Sequence, residues 1–169
     1  TIIAHQLENL LLAGISSENV SVVTGSNYRQ IEHYLTAEGY RGSFVHNPWF
    51  QITNMATSLW LARKDNSNLV IVYGDIVFEQ SILEDLLATD GDIVCVVDRR
   101  SDLDAEDEKV ILSDDRIVRA SKDLDLDEAH GEFIGLVRLS RRGARKLFAE
   151  LDRLVHDGDM MAFFSDVLS

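Results

Sequence analysis

The chain has 169 residues, 46% of them hydrophobic, with 29 acidic against 16 basic residues and a formal net charge of -13. That size and apolar content suit one compact domain over residues 1–169, and the acidic balance excludes a nucleic-acid surface, which would lean on Lys and Arg contacts to phosphate. The lone Cys95 excludes an internal disulfide framework or thiolate metal cluster, and no stretch approaches the ~20 apolar residues that span a bilayer.

Ile3, Leu7, Leu10 and Leu11 recur at helical spacing over residues 2–13, and Gly14 suits a left-handed stop. A strand is predicted from Val20 to Thr24, ending at Gly25. A helix over 27–38 follows, with Gly39 as its stop, and then a short strand from Ser43 to His46. Asn54 to Arg63 reads as a helix with Met55, Leu59 and Ala62 on one side.

The most informative segment is Asn68 to Asp75. Its apolar run over 69–73 reads as a strand buried on both faces, as in a parallel sheet, and it stops abruptly at Gly74-Asp75. In open α/β sheets, ligands bind just beyond the carboxyl ends of such strands. Asp75 therefore stands where a phosphate-bound metal would be held; its other reading is a turn aspartate satisfying nearby backbone amides.

A further amphipathic helix over Glu79 to Ala88, the turn Thr89-Asp90-Gly91 and a buried strand from Asp92 to Val97 continue the alternation. Cys95, inside that strand, reads as a core thiol in a reducing compartment. With no leader pattern in the first residues, the expected location is the cytoplasm. Such alternation implies an α/β, Rossmann-like fold, a mainly parallel sheet flanked by helices.

Beyond Asp98 the character changes. An acidic stretch, Asp102 to Glu108, precedes Lys109 to Leu112, the turn Ser113-Asp114-Asp115, and Ile117 to Arg119, which together read as a small, polar, exposed hairpin. Phe133 to Leu139 returns as a strand. Ser140 then caps a helix with Gly143, Ala144, Leu147, Leu151 and Leu154 on its inner side.

Asp123, Asp125 and Asp127 start like a calcium loop, but Glu128 replaces its glycine and Ile134 its final glutamate, so this is a solvated acidic loop. The five histidines have no metal-ligand spacing, and no Gly-x-Ser-x-Gly elbow supports covalent hydrolysis.

Taken in order, Gln6-Leu7-Glu8-Asn9-Leu10-Leu11-Leu12-Ala13-Gly14-Ile15, Val22-Val23-Thr24-Gly25, Asn47 with Asn54 and Ser58-Leu59, Gly74-Asp75, Ser121-Lys122, and Glu132-Phe133-Ile134-Gly135-Leu136 resemble the nucleotidyltransferase family. These enzymes join a nucleoside triphosphate to a phosphorylated small molecule; the family includes sugar-phosphate and phosphocholine-type cytidylyltransferases. The resemblance implies Mg2+ as cofactor, held by Asp75, because an acceptor oxygen must approach the α-phosphorus of a highly anionic triphosphate. It also implies that Gly25 and Gly74 let backbone pass close to the nucleotide, with Asn54 and Ser58 near its base or ribose. A strand-ending turn for Gly25 and a helix N-cap for Asn54 are the plainer readings.

Lys122 is implied as the cation for the acceptor phosphate or phosphonate, with Arg99 and Arg100 in second rank. Glu132 either orients a cationic substrate group, braces Lys122 or makes a structural ion pair. Asn47 is placed on the rim, and Trp49 either packs or walls an alkylammonium group. CTP with a phosphocholine-like, aminoethylphosphonate-like or sugar-phosphate acceptor is the implied reaction.

The family's Gly-rich triphosphate loop has no counterpart here, nor does its late second metal ligand, since Phe163 to Ser169 reads as the helix before that ligand's strand. The resemblance thus implies an internal portion of a longer protein or a shortened relative, with catalysis assigned to the intact protein. The family's first strand sits centrally in the sheet; its absence would leave edges for homodimerisation or strand exchange to cover. A noncatalytic sensing or assembly domain is the alternative function. A metal-dependent glycosyltransferase ranks last, because Gly74-Asp75-Ile76 lacks a second aspartate.

Overall fold

The computed structural model describes residues 1–100, 102–164 and 167, which contain five α-helices and seven strands. Helix α1 (Ile2–Leu12) starts at Thr1, whose hydroxyl accepts the Ala4 amide, and ends where Gly14 adopts φ +83, a left-handed stop that costs glycine no Cβ clash. A 3-10 turn, Ser17–Asn19, leads into β1 (Ser21–Thr24). Helix α2 (Tyr28–Ala37) stops before Gly39, and β2 (Ser43–His46) pairs in parallel with β1. Then come α3 (Met55–Leu61), β3 (Leu69–Val72), α4 (Gln80–Ala88) and β4 (Ile93–Asp98). A hairpin of β5 (Lys109–Ser113) and β6 (Arg116–Ser121) precedes β7 (Gly131–Leu139) and α5 (Arg141–His156). The helix expected over Phe163 to Ser169 falls largely outside the described residues.

The architecture is mixed α/β, but the sheet is not mainly parallel. Among the described residues only the two-stranded β1–β2 ladder is parallel; the five-stranded sheet is held by antiparallel pairs, with β7 bonded to β3, β4 and β5, and β5 to β6. The reason lies in what an apolar run records. Val70 to Val72 and Val94 to Val97 are apolar because both faces of the sheet are covered, and coverage says nothing about strand direction. β7 is entered from a hairpin rather than a helical crossover, so it is free to run against β3 and β4.

The hairpin is also less exposed than its polar sequence suggests. Lys109 and Val110, 1% and 0% exposed, root β5 against Glu132 and Gly131 of β7. Lys109 Nζ donates to the carbonyls of Asp104, Ala105 and Asp107 at 3.4, 3.2 and 3.3 Å, so a charged group is buried with its protons in use. Val118, near the far end, is exposed.

Two apolar clusters lie on either side of the main sheet. On one, α5 buries Ala144, Leu147, Phe148, Leu151 and Leu154 against Phe133, Val137 and Leu139, the inner side its spacing predicted. On the other, Leu10 of α1 and Leu83 and Leu86 of α4 meet Phe78 and Leu136. Ser140 Oγ caps α5 at the Gly143 amide, 3.1 Å away, and donates to Asp92 Oδ1 at 2.7 Å. A Cβ on Gly143 would lie 1.9 Å from the Asp92 carbonyl oxygen, so α5 can start there only with glycine. Cys95 is a half-buried core thiol that burial pushes up to about 12. No described helix is long and apolar enough to cross a membrane.

Candidate functional site

Between β1 and β3 runs a cleft of about 1490 Å3, and its lining gathers residues far apart in sequence. Gly25 follows β1; Asn47 and Asn54 come from the segment between β2 and α3, and Ser58 from α3 itself; Gly74 and Asp75 follow β3. All six line this one cleft.

Asp75 is exposed, and among the described residues its carboxylate has neither an ion pair nor a hydrogen-bonded amide, so the turn-aspartate role is not realised. Gly74 beside it is open: no atom lies within 4 Å of where a Cβ would stand. The loop carrying both is fixed from α1. Gln6 Nε2 donates to the Tyr73 and Ile76 carbonyls, each at 2.8 Å, and Asn9 Nδ2 donates to Phe78 at 2.9 Å. Both amide residues are buried. They break the apolar side of α1 one turn apart, a signal legible in the sequence that the hydrophobic pattern alone passed over.

Asn47 is not on the rim. It is 1% exposed, its Nδ2 donates to Thr53 Oγ1 at 3.1 Å and Ser58 Oγ at 3.0 Å, and its Oδ1 accepts the Trp49 amide at 2.9 Å. Its short polar side chain thus knits the bend between β2 and α3. Asn54 does not cap α3 through its side chain; Nδ2 donates to the Met161 carbonyl at 2.7 Å instead. Gly25 is needed for packing, because a Cβ there would lie 2.7 Å from Phe50 Cβ. Trp49 is 46% exposed.

Lys122 and Glu132 stand outside the cleft. Lys122 Nζ sits 4.8 Å above the Phe163 ring and 3.7 Å from Glu106, and it borders a separate hollow of about 560 Å3 beside the acidic loop. Phe163, its ring partner, does line the main cleft. Glu132 does not brace Lys122; it pairs with Arg100 at 2.9 Å, which also holds Asp107 at 2.7 Å. Burial, then the Asp107 charge, raises the Glu132 carboxyl above its ordinary value. Arg99 pairs with Asp115 at 2.8 Å.

Tyr73 and Glu108, unmarked by sequence reasoning, also line the cleft. The Tyr73 hydroxyl donates to Glu108 Oε1 at 3.4 Å, and burial followed by the Glu108 charge drives the phenol well above its ordinary range. Tyr73 lies over Gly135, whose φ is +79 and where a Cβ would come 2.2 Å from Tyr73 Cγ. Glu108 reaches Tyr73 only through the β5–β7 pairing, a long-range relation with no local signature.

No protein-family model and no curated protein matches the chain. Solved structures do. Over 98% of its length the chain superposes on CTP:phosphocholine cytidylyltransferase (LicC) from Streptococcus pneumoniae, with TM-score 0.76, 19% identity and 69% of that chain covered. The chain has the nucleotidyltransferase fold. Inositol-1-phosphate CTP transferase from T. maritima matches at TM-score 0.69 and 24% identity, over 88% of this chain and 59% of that one. A Bacillus anthracis protein assigned as a glucose-1-phosphate thymidylyltransferase matches at 0.72 and 14%, over 98% and 68%. The chain therefore spans between 59% and 69% of the lengths of these neighbours.

Proposed function

We propose that the protein transfers a nucleotidyl group from a nucleoside triphosphate, CTP favoured, to a phosphorylated small molecule of the phosphocholine, aminoethylphosphonate or sugar-phosphate class. An acceptor oxygen would attack the α-phosphorus, and the bond to the β-phosphate oxygen would break with release of pyrophosphate. The supporting observation is the convergence of Gly25, Asn54, Ser58, Gly74 and exposed Asp75 on one cleft of a nucleotidyltransferase fold.

Within that reading each group has a chemical part. The open backbone at Gly74 leaves room for a phosphate chain. Asn54 keeps its amide oxygen and Ser58 its hydroxyl proton for a ligand, because Asn54 Nδ2 is spent on Met161 and Ser58 Oγ accepts from Asn47. An acceptor beside a donor suits the amino and carbonyl edge of cytosine. Asp75 fits a magnesium ion arriving with the triphosphate, since Mg2+ takes one or two carboxylates and fills its shell with waters and phosphate oxygens. The described residues offer no cluster of three or more His, Cys, Asp or Glu for an all-protein cage. Magnesium bound there supplies charge neutralisation. Lys122 would serve as the cation for the acceptor phosphate in this reading, since its contact to Glu106 is long, and that partner, 92% exposed, holds it weakly.

Pyrophosphate release tests this, with each triphosphate paired with phosphocholine, aminoethylphosphonate and sugar 1-phosphates, and Asp75→Asn as control. Release requiring one pair and lost in the control supports the reading. A folded protein that releases none in magnesium favours a noncatalytic sensing or assembly domain, the reading suggested by the engaged positions of Lys122 and Glu132 outside the cleft.

A further inference from the structure

The cleft carries its charged side chains at opposite ends. Its two basic side chains, Lys64 and Arg138, stand toward the start of β3: Lys64 precedes that strand, and Arg138 pairs with Val70. Asp75 and Glu108 stand at the other end, where the strand runs into Tyr73 and Gly74. A phosphorylated ligand bound at that end meets two carboxylates and, among the described residues lining it, no basic side chain. The ligand has to bring positive charge with it.

Asp75, exposed, suits a hydrated magnesium ion. Glu108 is a different kind of carboxylate. It is 9% exposed and accepts the Tyr73 hydroxyl at 3.4 Å, while Tyr73 packs edge-on against Phe133 and Phe163 lines the same cleft. The phenol, driven well above its ordinary range, stays a neutral donor and leaves the carboxylate its charge. Magnesium gives up water reluctantly and keeps several waters in its shell, so a largely buried carboxylate beside aromatic rings suits it poorly. An alkylammonium suits both features, since its charge meets the carboxylate and its carbons meet ring faces. The Phe163 ring already holds one ammonium, Lys122 Nζ, 4.8 Å from its centroid.

We infer that Glu108, positioned by the Tyr73 hydroxyl, determines acceptor specificity by receiving a cationic ammonium head, so that ammonium-bearing phosphates and phosphonates are chosen over sugar phosphates. A neutral sugar adds nothing to offset the Glu108 charge beside the incoming phosphates, whereas an ammonium cancels it. The inference rests on the nucleotidyl-transfer reading for the identity of the second substrate, and it narrows the three acceptor classes left open there to two.

The test is calorimetric titration of the protein in magnesium and the α,β-methylene analogue of CTP, which cannot release pyrophosphate. The ligands are phosphocholine, its neutral isostere with a tert-butyl group in place of trimethylammonium, and glucose 1-phosphate. Phosphocholine is expected to bind roughly tenfold or more tightly than the isostere, and glucose 1-phosphate no better than the isostere. Glu108→Gln is expected to bring phosphocholine and isostere together by weakening phosphocholine alone. In parent protein isotope-labelled at its glutamate carboxyl carbons, the Glu108 signal should move with phosphocholine and not with the isostere, a readout that decides if Glu108→Gln does not fold.

No binding of phosphocholine, equal affinities for it and the isostere in the parent protein, or a preference that persists in Glu108→Gln overturns the inference. Tighter binding of glucose 1-phosphate does the same. If Glu108→Gln weakens magnesium-dependent binding of the CTP analogue as much as it weakens phosphocholine, Glu108 belongs to the metal and the inference falls. Pyrophosphate release with CTP reads the transfer separately: a Glu108-dependent preference without release keeps the subsite and refutes transfer, while release with sugar phosphates alone keeps transfer and refutes the subsite.

Discussion

Gly135→Ala is expected to be the most damaging single-methyl addition near the cleft. At φ +79 an L-residue pays about 1–2 kcal/mol for the left-handed conformation. The new Cβ would also stand 2.2 Å from Tyr73 Cγ, 2.4 Å from Cδ2 and 2.7 Å from Cβ, distances that something must yield. Tyr73 has little freedom to yield, being bonded to Glu108 and packed edge-on against Phe133 at 5.7 Å. Overpacking of this kind costs about 1–3 kcal/mol, bringing the sum to roughly 2–5 kcal/mol. Gly14→Ala is the matched comparison, with φ +83 but nothing within 4 Å of the added carbon. Both variants gain the same unfolded-state advantage from losing a glycine, which cancels in the difference. Urea unfolding with a shared m-value reads that difference, expected at about 1–3 kcal/mol in the direction of Gly135→Ala. Equal losses in the two variants would refute the close packing of Tyr73 on β7.

Asp75→Asn is expected to abolish magnesium-dependent triphosphate binding, read by thermal shift, while changing stability by no more than about 0.5 kcal/mol, because the side chain is exposed and unbonded. Gln6→Leu strands two part-buried carbonyls and should cost about 1–3 kcal/mol in urea unfolding, with faster amide exchange over 74–78; unchanged exchange there would show that α1 does not hold the loop. Asp92 is held below its ordinary 3.8 by Arg142 and then the Ser140 hydroxyl, so its contribution is present above that value and lost as pH falls through the lower folded one. The stability gap between the parent protein and Asp92→Asn should accordingly shrink as the pH falls below 3.8. Glu132 runs the other way: its raised carboxyl makes protonation favour the folded state, so Glu132→Gln should remove a gain in stability seen on acidification.

Local chemistry made most elements legible. Gly14 and Gly39 stop helices at positive φ, Ser140 caps α5, and the inner stripe of α5 is buried as spaced, because capping, left-handed stops and amphipathic faces are short-range properties of neighbouring residues. The strand-ending position of Asp75 was legible for the same reason, as a run of apolar residues cut by Gly-Asp. Strand direction was not. Whether β3 lies beside a parallel or an antiparallel neighbour depends on β7, more than sixty residues away, and an apolar run carries no record of its partner's direction. The same limit explains the site. Sequence order alone could not show that Asn47 turns inward to Thr53 and Ser58, that Glu132 meets Arg100 rather than Lys122, or that Glu108 lies against Tyr73. Residue types by themselves determined that these groups need polar partners when buried; only the tertiary structure decided which partners they found, because burial sets the demand locally while chain topology sets the supply.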